Sequence, residues 1–180
     1  MAGRLFAVVG PTGAGKHTLM AEAQKRRPDL HLVRRVITRP EEAGGEPFEG
    51  VSQQEFARRK AAGDFALDWE TNGVHYGIPT SIDRAISEGR DVLFNGSRGV
   101  LGQAWEEFPG LTVILVTASV PVLADRLAAL GQESRADIAR RLARADYEIP
   151  YGPPIVVVEN DGALDQAVTA FLSVLQPLSV

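Results

Sequence analysis

The chain has 180 residues, 44% hydrophobic and 23% charged, with a net charge of −4 at pH 7. That size and balance fit one globular domain able to bury a core, and the acidic balance argues against a general binder of nucleic acid or membrane surfaces. The absence of cysteine excludes disulfides and thiolate metal sites, and no apolar run approaches the roughly 20 residues that span a bilayer.

Residues 5–9 form a continuous apolar run, the pattern of a strand buried on both faces of a parallel sheet. Gly10-Pro11-Thr12-Gly13-Ala14-Gly15-Lys16-His17-Thr18 follows directly and fits G-x-x-x-x-G-K, with His17 where Ser or Thr is usual. In such a loop the glycines let the backbone turn its N–H groups inward onto phosphate oxygens. The N-terminus of the next helix and a lysine ammonium add positive charge. The spacing predicts that helix over 17–26, stopped by Pro28. A strand over 32–38 then leads into a polar loop at 39–50.

Ser52-x-x-Glu55 reads as a capping box opening a helix to about residue 62. Strands at 65–70 and 74–76 flank Thr71-Asn72-Gly73, a hairpin turn. A short helix at 80–88 is closed by Gly89. Strands at 91–95 and 111–117 enclose a helix at 100–108. Ser119 and Pro121 begin a helix to about residue 130. A further helix at 134–147 carries Arg135, Arg140, Arg141 and Arg144. Residues 155–159 read as a last buried strand and 164–175 as an amphipathic helix. This alternation predicts an α/β fold, a parallel sheet flanked by helices on both faces. The N-terminus lacks the pattern of a secretory signal, so a cytoplasmic location is expected.

On these elements, Ile37-Thr38-Arg39-Pro40, Gly45-Glu46, Gly63-Asp64-Phe65, Tyr76-Gly77, Leu123-x-x-Arg126-Leu127, Ile138-x-x-Arg141-Leu142 and Asn160-Asp161 occur in an order that resembles the guanylate-kinase-like branch of the phosphate-loop (P-loop) kinases. The resemblance implies their three-layer fold as one domain over 1–180. Its core would be about 1–34 and 81–180, with a small inserted acceptor-binding subdomain at about 35–80 and a helical lid at about 130–147. Guanylate kinases read guanine with carboxylates, one nine residues before the Tyr of Tyr-Gly and another in an Asp-x-Asp. Here those positions hold Leu67, and Asn95 with Ser97. Leucine cannot accept hydrogen bonds from the guanine N1–H and amine, and such losses cost a specific site heavily.

Phe65-Ala66-Leu67-x-Trp69, Tyr76-Gly77-Ile78-Pro79 and Asn95-Gly96-Ser97-Arg98 instead resemble the ribose 1,5-bisphosphate phosphokinases of phosphonate degradation. That resemblance implies transfer of the γ-phosphoryl of ATP to ribose 1,5-bisphosphate, giving 5-phosphoribosyl 1-diphosphate and ADP, with Mg²⁺. Three positions depart from the family pattern. His17 stands where Asp is usual, Leu130-Gly131-Gln132-Glu133 where Arg-Gly-Arg-Glu is usual, and Phe48 where a His is usual.

The candidate nucleotide-binding residues are Gly10, Pro11, Thr12, Gly13, Ala14, Gly15, Lys16, His17 and Thr18, joined by Asn160, which resembles a contact near the adenine. On the acceptor side, Arg39 and Tyr76 are expected at one phosphate and Arg98 at the other. Asn95 and Ser97 are expected at ribose hydroxyls, and Glu46 and Leu67 in the same pocket. Lys16, Arg126, Arg135 and Arg141 are the candidate catalytic cations, because arginines that close over a transferring phosphoryl group stabilise its charge. An acceptor phosphate has a second pKa of about 6 and is mostly dianionic near neutral pH, so no general base is required. Histidine is a poor partner for Mg²⁺, which prefers oxygen, so the ion is expected on ATP oxygens and water with no protein metal site.

Each residue also has a structural reading. Arg39 reads as a solvated loop arginine, Tyr76 as a core tyrosine, Arg98 as a loop salt bridge and Asn160 as a helix cap. Arg140 and Arg144 read as a solvated face, and Trp69 and Trp105 as packing. The alternative functions are a nucleoside monophosphate (guanylate) kinase with a rearranged base pocket, and a non-catalytic module binding a phosphorylated partner. Intact Gly15-Lys16 argues against the second. The sequence leaves the oligomeric state open.

Overall fold

The apolar run at residues 5–9 becomes the central strand of the larger of two sheets. In the computed structural model, which describes residues 2–41, 46–131, 133–144 and 152–176, that sheet has the order β2-β7-β1-β8-β9. Its strands are β1 (Leu5–Val9), β2 (His31–Leu32), β7 (Val92–Asn95), β8 (Thr112–Thr117) and β9 (Ile155–Glu159). All of its pairings are parallel. Alternate residues of β1 feed two cores. Phe6 and Val8 pack with Leu19, Met20 and Ala23 of α1 (Lys16–Arg26) and with Phe171 of α7 (Leu164–Val174). Leu5, Ala7 and Val9 pack on the other face with Ile82 of α3 (Ser81–Ser87) and Leu101 and Ala104 of α4 (Leu101–Glu107). This two-faced burial is why β1 shows no polar alternation.

The smaller sheet has the order β4-β3-β6-β5, from β3 (Val36–Ile37), β4 (Glu49–Gly50), β5 (Phe65–Thr71) and β6 (Val74–Pro79). Asn72 and Gly73 both have positive φ, 52° and 78°, the geometry of a two-residue type I′ hairpin turn. Ser52 caps α2 (Gln53–Ala61) by accepting from the Glu55 N–H at 3.0 Å. The Glu55 carboxylate turns instead to Arg58 and Arg59, so only half of the capping box forms.

Two sequence expectations are corrected. The single strand expected over 32–38 is divided, because β2 pairs with β7 of the large sheet and β3 with β4 and β6 of the small one. The chain crosses between sheets at residues 33–35. The strand at 155–159 was expected to be buried, but β9 lies at the sheet edge, with Ile155, Val156 and Val157 exposed and only Val158 in the core. An apolar run reports hydrophobicity, not position in the strand order. The remaining described helices are α5 (Val120–Ala128) and α6 (Arg135–Arg144). No helix among the described residues is long and apolar enough to cross a membrane.

Candidate active site

The turn after β1 is held so tightly that its glycines are obligatory. A Cβ on Gly10 would lie 2.0 Å from the Val116 carbonyl oxygen, and one on Gly15, at φ 91°, would lie 2.5 Å from Asn160 Nδ2. Gly15 is the N-cap of α1. The helix therefore starts at Lys16 and directs its free N–H groups and positive dipole end at the loop. Lys16 Nζ donates to the carbonyls of Gly10 (2.6 Å) and Pro11 (3.3 Å). Burial lowers its pKa to about 8, repulsion from Arg35 adds to the effect, and attraction from Glu46 opposes it. The ammonium is poised over the loop, partly stripped of water and favourably placed to meet an anion.

The loop is braced from behind. Asn160, 6% exposed, donates through Nδ2 to the Ala14 carbonyl at 2.8 Å. Arg126 of α5 donates through Nη1 to Gly13 O at 3.1 Å and through Nη2 to Asn160 O at 2.6 Å. Asn160 is not a helix cap, since α7 is preceded by Ala163 at that position. A cleft of about 700 Å³ opens over the loop. Its walls include Thr12, Gly13, Gly15, Lys16, His17, Thr18, Asn95, Arg126 and Asn160. Leu130, Gly162 and Leu164 line it too; Leu130 opens the altered lid segment and Gly162 follows Asn160 by two residues, whereas Leu164 had no motif beside it. Replacing Asn160 with Ala leaves the buried Ala14 carbonyl with only the long 3.5 Å contact from Arg126 Nη1, which costs about 1–3 kcal/mol. The expected outcome is a KM for ATP raised about tenfold, checked by steady-state kinetics beside a thermal melt.

At the far side of the cleft, Asn95 at the C-terminal end of β7 donates through Nδ2 to Glu46 at 3.3 Å. Glu46 also forms an ion pair with Arg35, and both side chains are about nine-tenths buried. Arg35 lies over the Tyr76 ring, 5.2 Å from its centroid, and Tyr76 stacks on Trp69 at 5.3 Å. Both rings are half-buried, and Trp69 packs against the core cluster that holds Leu67 and Ile78, as its packing reading expects. Arg35, which the motif reading passed over, is thus the residue that links Glu46 to Tyr76. Its sequence signal was a basic residue four positions before Arg39 in a stretch that turns apolar.

Other candidates lie elsewhere. Arg39 packs over Phe48 at 4.6 Å and lines a separate cleft of about 550 Å³ with Thr38, Pro40, Gly50 and Ser52. Leu67 is 1% exposed, in the core cluster with Ile78 and Ile82. Ser97 is half-buried and Arg98 exposed, at the 3-10 turn Arg98–Val100. Arg135 is an exposed partner of Asp125 at 2.5 Å, tying α6 to α5. Arg140 pairs with Asp137 on the exposed face expected for it. Arg141 and Arg144 fall in α6, but their side chains lie outside the described residues, as do Gly45 and Gln132.

Over 182 residues the chain is 46% identical to the ribose 1,5-bisphosphate phosphokinase PhnN of Pseudomonas fluorescens (strain SBW25), covering 97% of this chain and 96% of that one. The chain belongs to the ribose 1,5-bisphosphate phosphokinase family. The phosphokinase PhnN of Rhizobium etli (strain CIAT 652) is 44% identical over 98% of this chain and 91% of its own. A longer relative, the bifunctional ribose 1,5-bisphosphokinase-thymidine phosphorylase of Cupriavidus necator, is 42% identical over 97% of this chain, which spans 29% of that protein. No protein-family model matches the chain. In three dimensions the chain resembles a guanylate kinase from Anaplasma phagocytophilum, with a TM-score of 0.69 at 16% identity over 97% of this chain and 85% of the other. It also resembles a gluconokinase from Sinorhizobium meliloti 1021, with a TM-score of 0.54 at 16% identity over 96% and 90%. These two likenesses establish the fold of a phosphate-loop kinase.

Proposed function

We infer that this protein transfers the γ-phosphoryl group of ATP to ribose 1,5-bisphosphate, giving 5-phosphoribosyl 1-diphosphate and ADP. The observation that carries this reading is the match to phosphokinases of that name along nearly the whole of both chains. The geometry supports it. Lys16 and the N-terminus of α1 face one cleft with Asn95 and Arg126 on its walls. Phosphoryl transfer asks chiefly for such positioning and charge stabilisation. Leu67 in the core cluster, and Asn95 with Ser97 at the end of β7, leave no carboxylate at the positions where guanylate kinases sense guanine.

In this reading the loop N–H groups and Lys16 hold the β- and γ-phosphates, and the acceptor dianion attacks in line from the small-sheet side. Mg²⁺ enters with the nucleotide as MgATP and offsets charge on its phosphates. Among the described residues no group of three or more His, Asp or Glu side chains is placed to hold a metal. Thr18 at the cleft wall adds a hydroxyl oxygen. Arg126 moves from the loop carbonyls toward the transferring group as the cleft closes. The reaction belongs in the cytoplasm, where ATP is abundant.

The test is ADP formation from MgATP with either ribose 1,5-bisphosphate or GMP. The expected preference in kcat/KM for the sugar bisphosphate exceeds about 10³, the scale on which sites discriminate through unpaired polar groups. Turnover with GMP alone defeats the reading, and no turnover with either favours a binding module. The pH profile gives a second check. Lys16 is charged below its pKa of about 8 and loses its proton above it. The kcat/KM for ATP, which reports the free enzyme, should therefore be level up to about pH 8 and fall about tenfold per unit beyond. Bound ATP holds the proton on Lys16, so the limb in kcat should lie at higher pH.

A further inference from the structure

Arg35 has chemistry that the reaction as described does not use. Its side chain is 11% exposed and leaves the backbone where the chain crosses from β2 of the large sheet to β3 of the small one. The Arg35 carbonyl accepts from the Glu49 N–H at 2.8 Å, so the backbone is fixed by the β3–β4 pairing. A guanidinium offers five N–H donors in one rigid plane. One terminal nitrogen meets Glu46, and the flat face lies over Tyr76. The Nε is buried without a hydrogen-bond acceptor among the described residues. A charged donor in that condition is costly, and it marks a place that a ligand can complete.

The local charge points the same way. Glu46 is the counter-ion of this cluster, and its carboxylate is shared with Asn95. Lys16 is near enough for the charges of both Arg35 and Glu46 to act on it. The one carboxylate here is paired with Arg35 and Asn95, while the Lys16 ammonium spends its hydrogen bonds on loop carbonyls, so among the described residues of the cluster positive charge exceeds negative. A phosphate dianion neutralises that surplus and takes charge-assisted hydrogen bonds from a planar guanidinium. Lys16 belongs to the phosphate loop and the nucleotide. Arg35 stands on the opposite, small-sheet side, backed by Tyr76 of β6. Glu46 joins Arg35 to Asn95, which lines the cleft that Lys16 faces, so the guanidinium is tied to the wall of the cleft where donor and acceptor must meet.

We propose that Arg35 binds the acceptor phosphate, with Glu46 and Tyr76 holding its guanidinium in the required plane. The assignment rests on the function proposed above and names a recognition residue within it.

The experiment is steady-state kinetics of Arg35→Met and Arg35→Lys beside the wild type, varying ribose 1,5-bisphosphate and ATP separately, with thermal melts of each protein. The expected result is a KM for the sugar bisphosphate raised about tenfold to a hundredfold, the range of charge-assisted hydrogen bonds. The KM for ATP should stay within about twofold. Lysine, a point charge without the planar fork, should restore little, whereas free guanidinium ion should partly rescue Arg35→Met. If Arg35→Met fails to fold because Glu46 is left without its counter-ion, Arg35→Lys, which keeps the charge, decides by the same split. A merely structural Arg35 would raise both KM values alike or lower only the melting temperature, and either result overturns the proposal. An unchanged KM for the sugar bisphosphate in folded variants overturns it as well, with the function intact. A wild type inactive on ribose 1,5-bisphosphate removes the function and this assignment together.

Discussion

Replacing Lys16 with Met is expected to lower kcat by a factor of about 10³ or more, the scale on which a single charge stabiliser contributes to group transfer. The ammonium lies among loop groups at the N-terminus of α1, bonded to Gly10 and Pro11 carbonyls. On nucleotide binding these weak partners yield to phosphate oxygens. Methionine keeps the reach and apolar bulk of the stem but removes the charge. Because Lys16 is held in its charged form against burial and against Arg35, its replacement relieves both unfavourable effects while losing the attraction of Glu46 and two hydrogen bonds. The melting temperature should therefore move by only a few degrees. Single-turnover measurements of ADP formation together with a circular dichroism melt check both halves. Collapse of the fold would instead give Lys16 a structural role.

The second large effect concerns stability. Leu67 occupies the position where guanylate kinases carry a guanine-reading carboxylate, so Leu67→Glu has the outward form of a specificity switch. The structure makes it a core mutation. Leu67 is 1% exposed and packs among Ile78, Ile82, Val33 and Phe94. A carboxylate placed there loses its hydration with no partner among those side chains, and an uncompensated buried charge costs about 3–5 kcal/mol. For a chain of this length each kcal/mol lowers Tm by about 2–4 °C, so a fall of roughly 6–20 °C is expected in a thermal melt. Leu67→Met, which conserves volume and polarity, should cost less than about 1.5 kcal/mol. An unshifted Tm for Leu67→Glu would mean that the side chain has access to the solvent of the acceptor cleft.

The contrast between these residues shows where sequence reasoning reaches and where it stops. Lys16 was legible because everything that places it is local: an apolar strand, glycines at positive φ, and a helix that begins at the lysine itself. Leu67 was recognised as a missing carboxylate, but whether the side chain meets substrate or core depends on which residues pack behind β5. Arg126 was expected over the transferring group, yet in this conformation its guanidinium binds Gly13, 113 residues away, and Asn160. Arg39 and Tyr76 were paired as one phosphate grip, but Arg39 packs over Phe48 and lines a different cleft with Thr38 and Pro40. Arg35 carried no motif and is conspicuous only once Glu46, Tyr76 and Lys16 surround it.

The amino-acid sequence by itself determined the strand–loop–helix of the G-x-x-x-x-G-K motif, the Ser52 cap, the Asn72-Gly73 hairpin and the family. Each of these is set by residues within a few positions of one another, or by their order along the chain. Only the tertiary structure decided that β9 is an exposed edge, that the chain changes sheets at residues 33–35, and that Asn160 braces Ala14 across 146 residues. The physical reason is that backbone preference and hydrophobic period act over one turn or one strand. Which distant side chains share a buried charge or a carbonyl is settled only when the whole sheet has paired and its two faces have been covered.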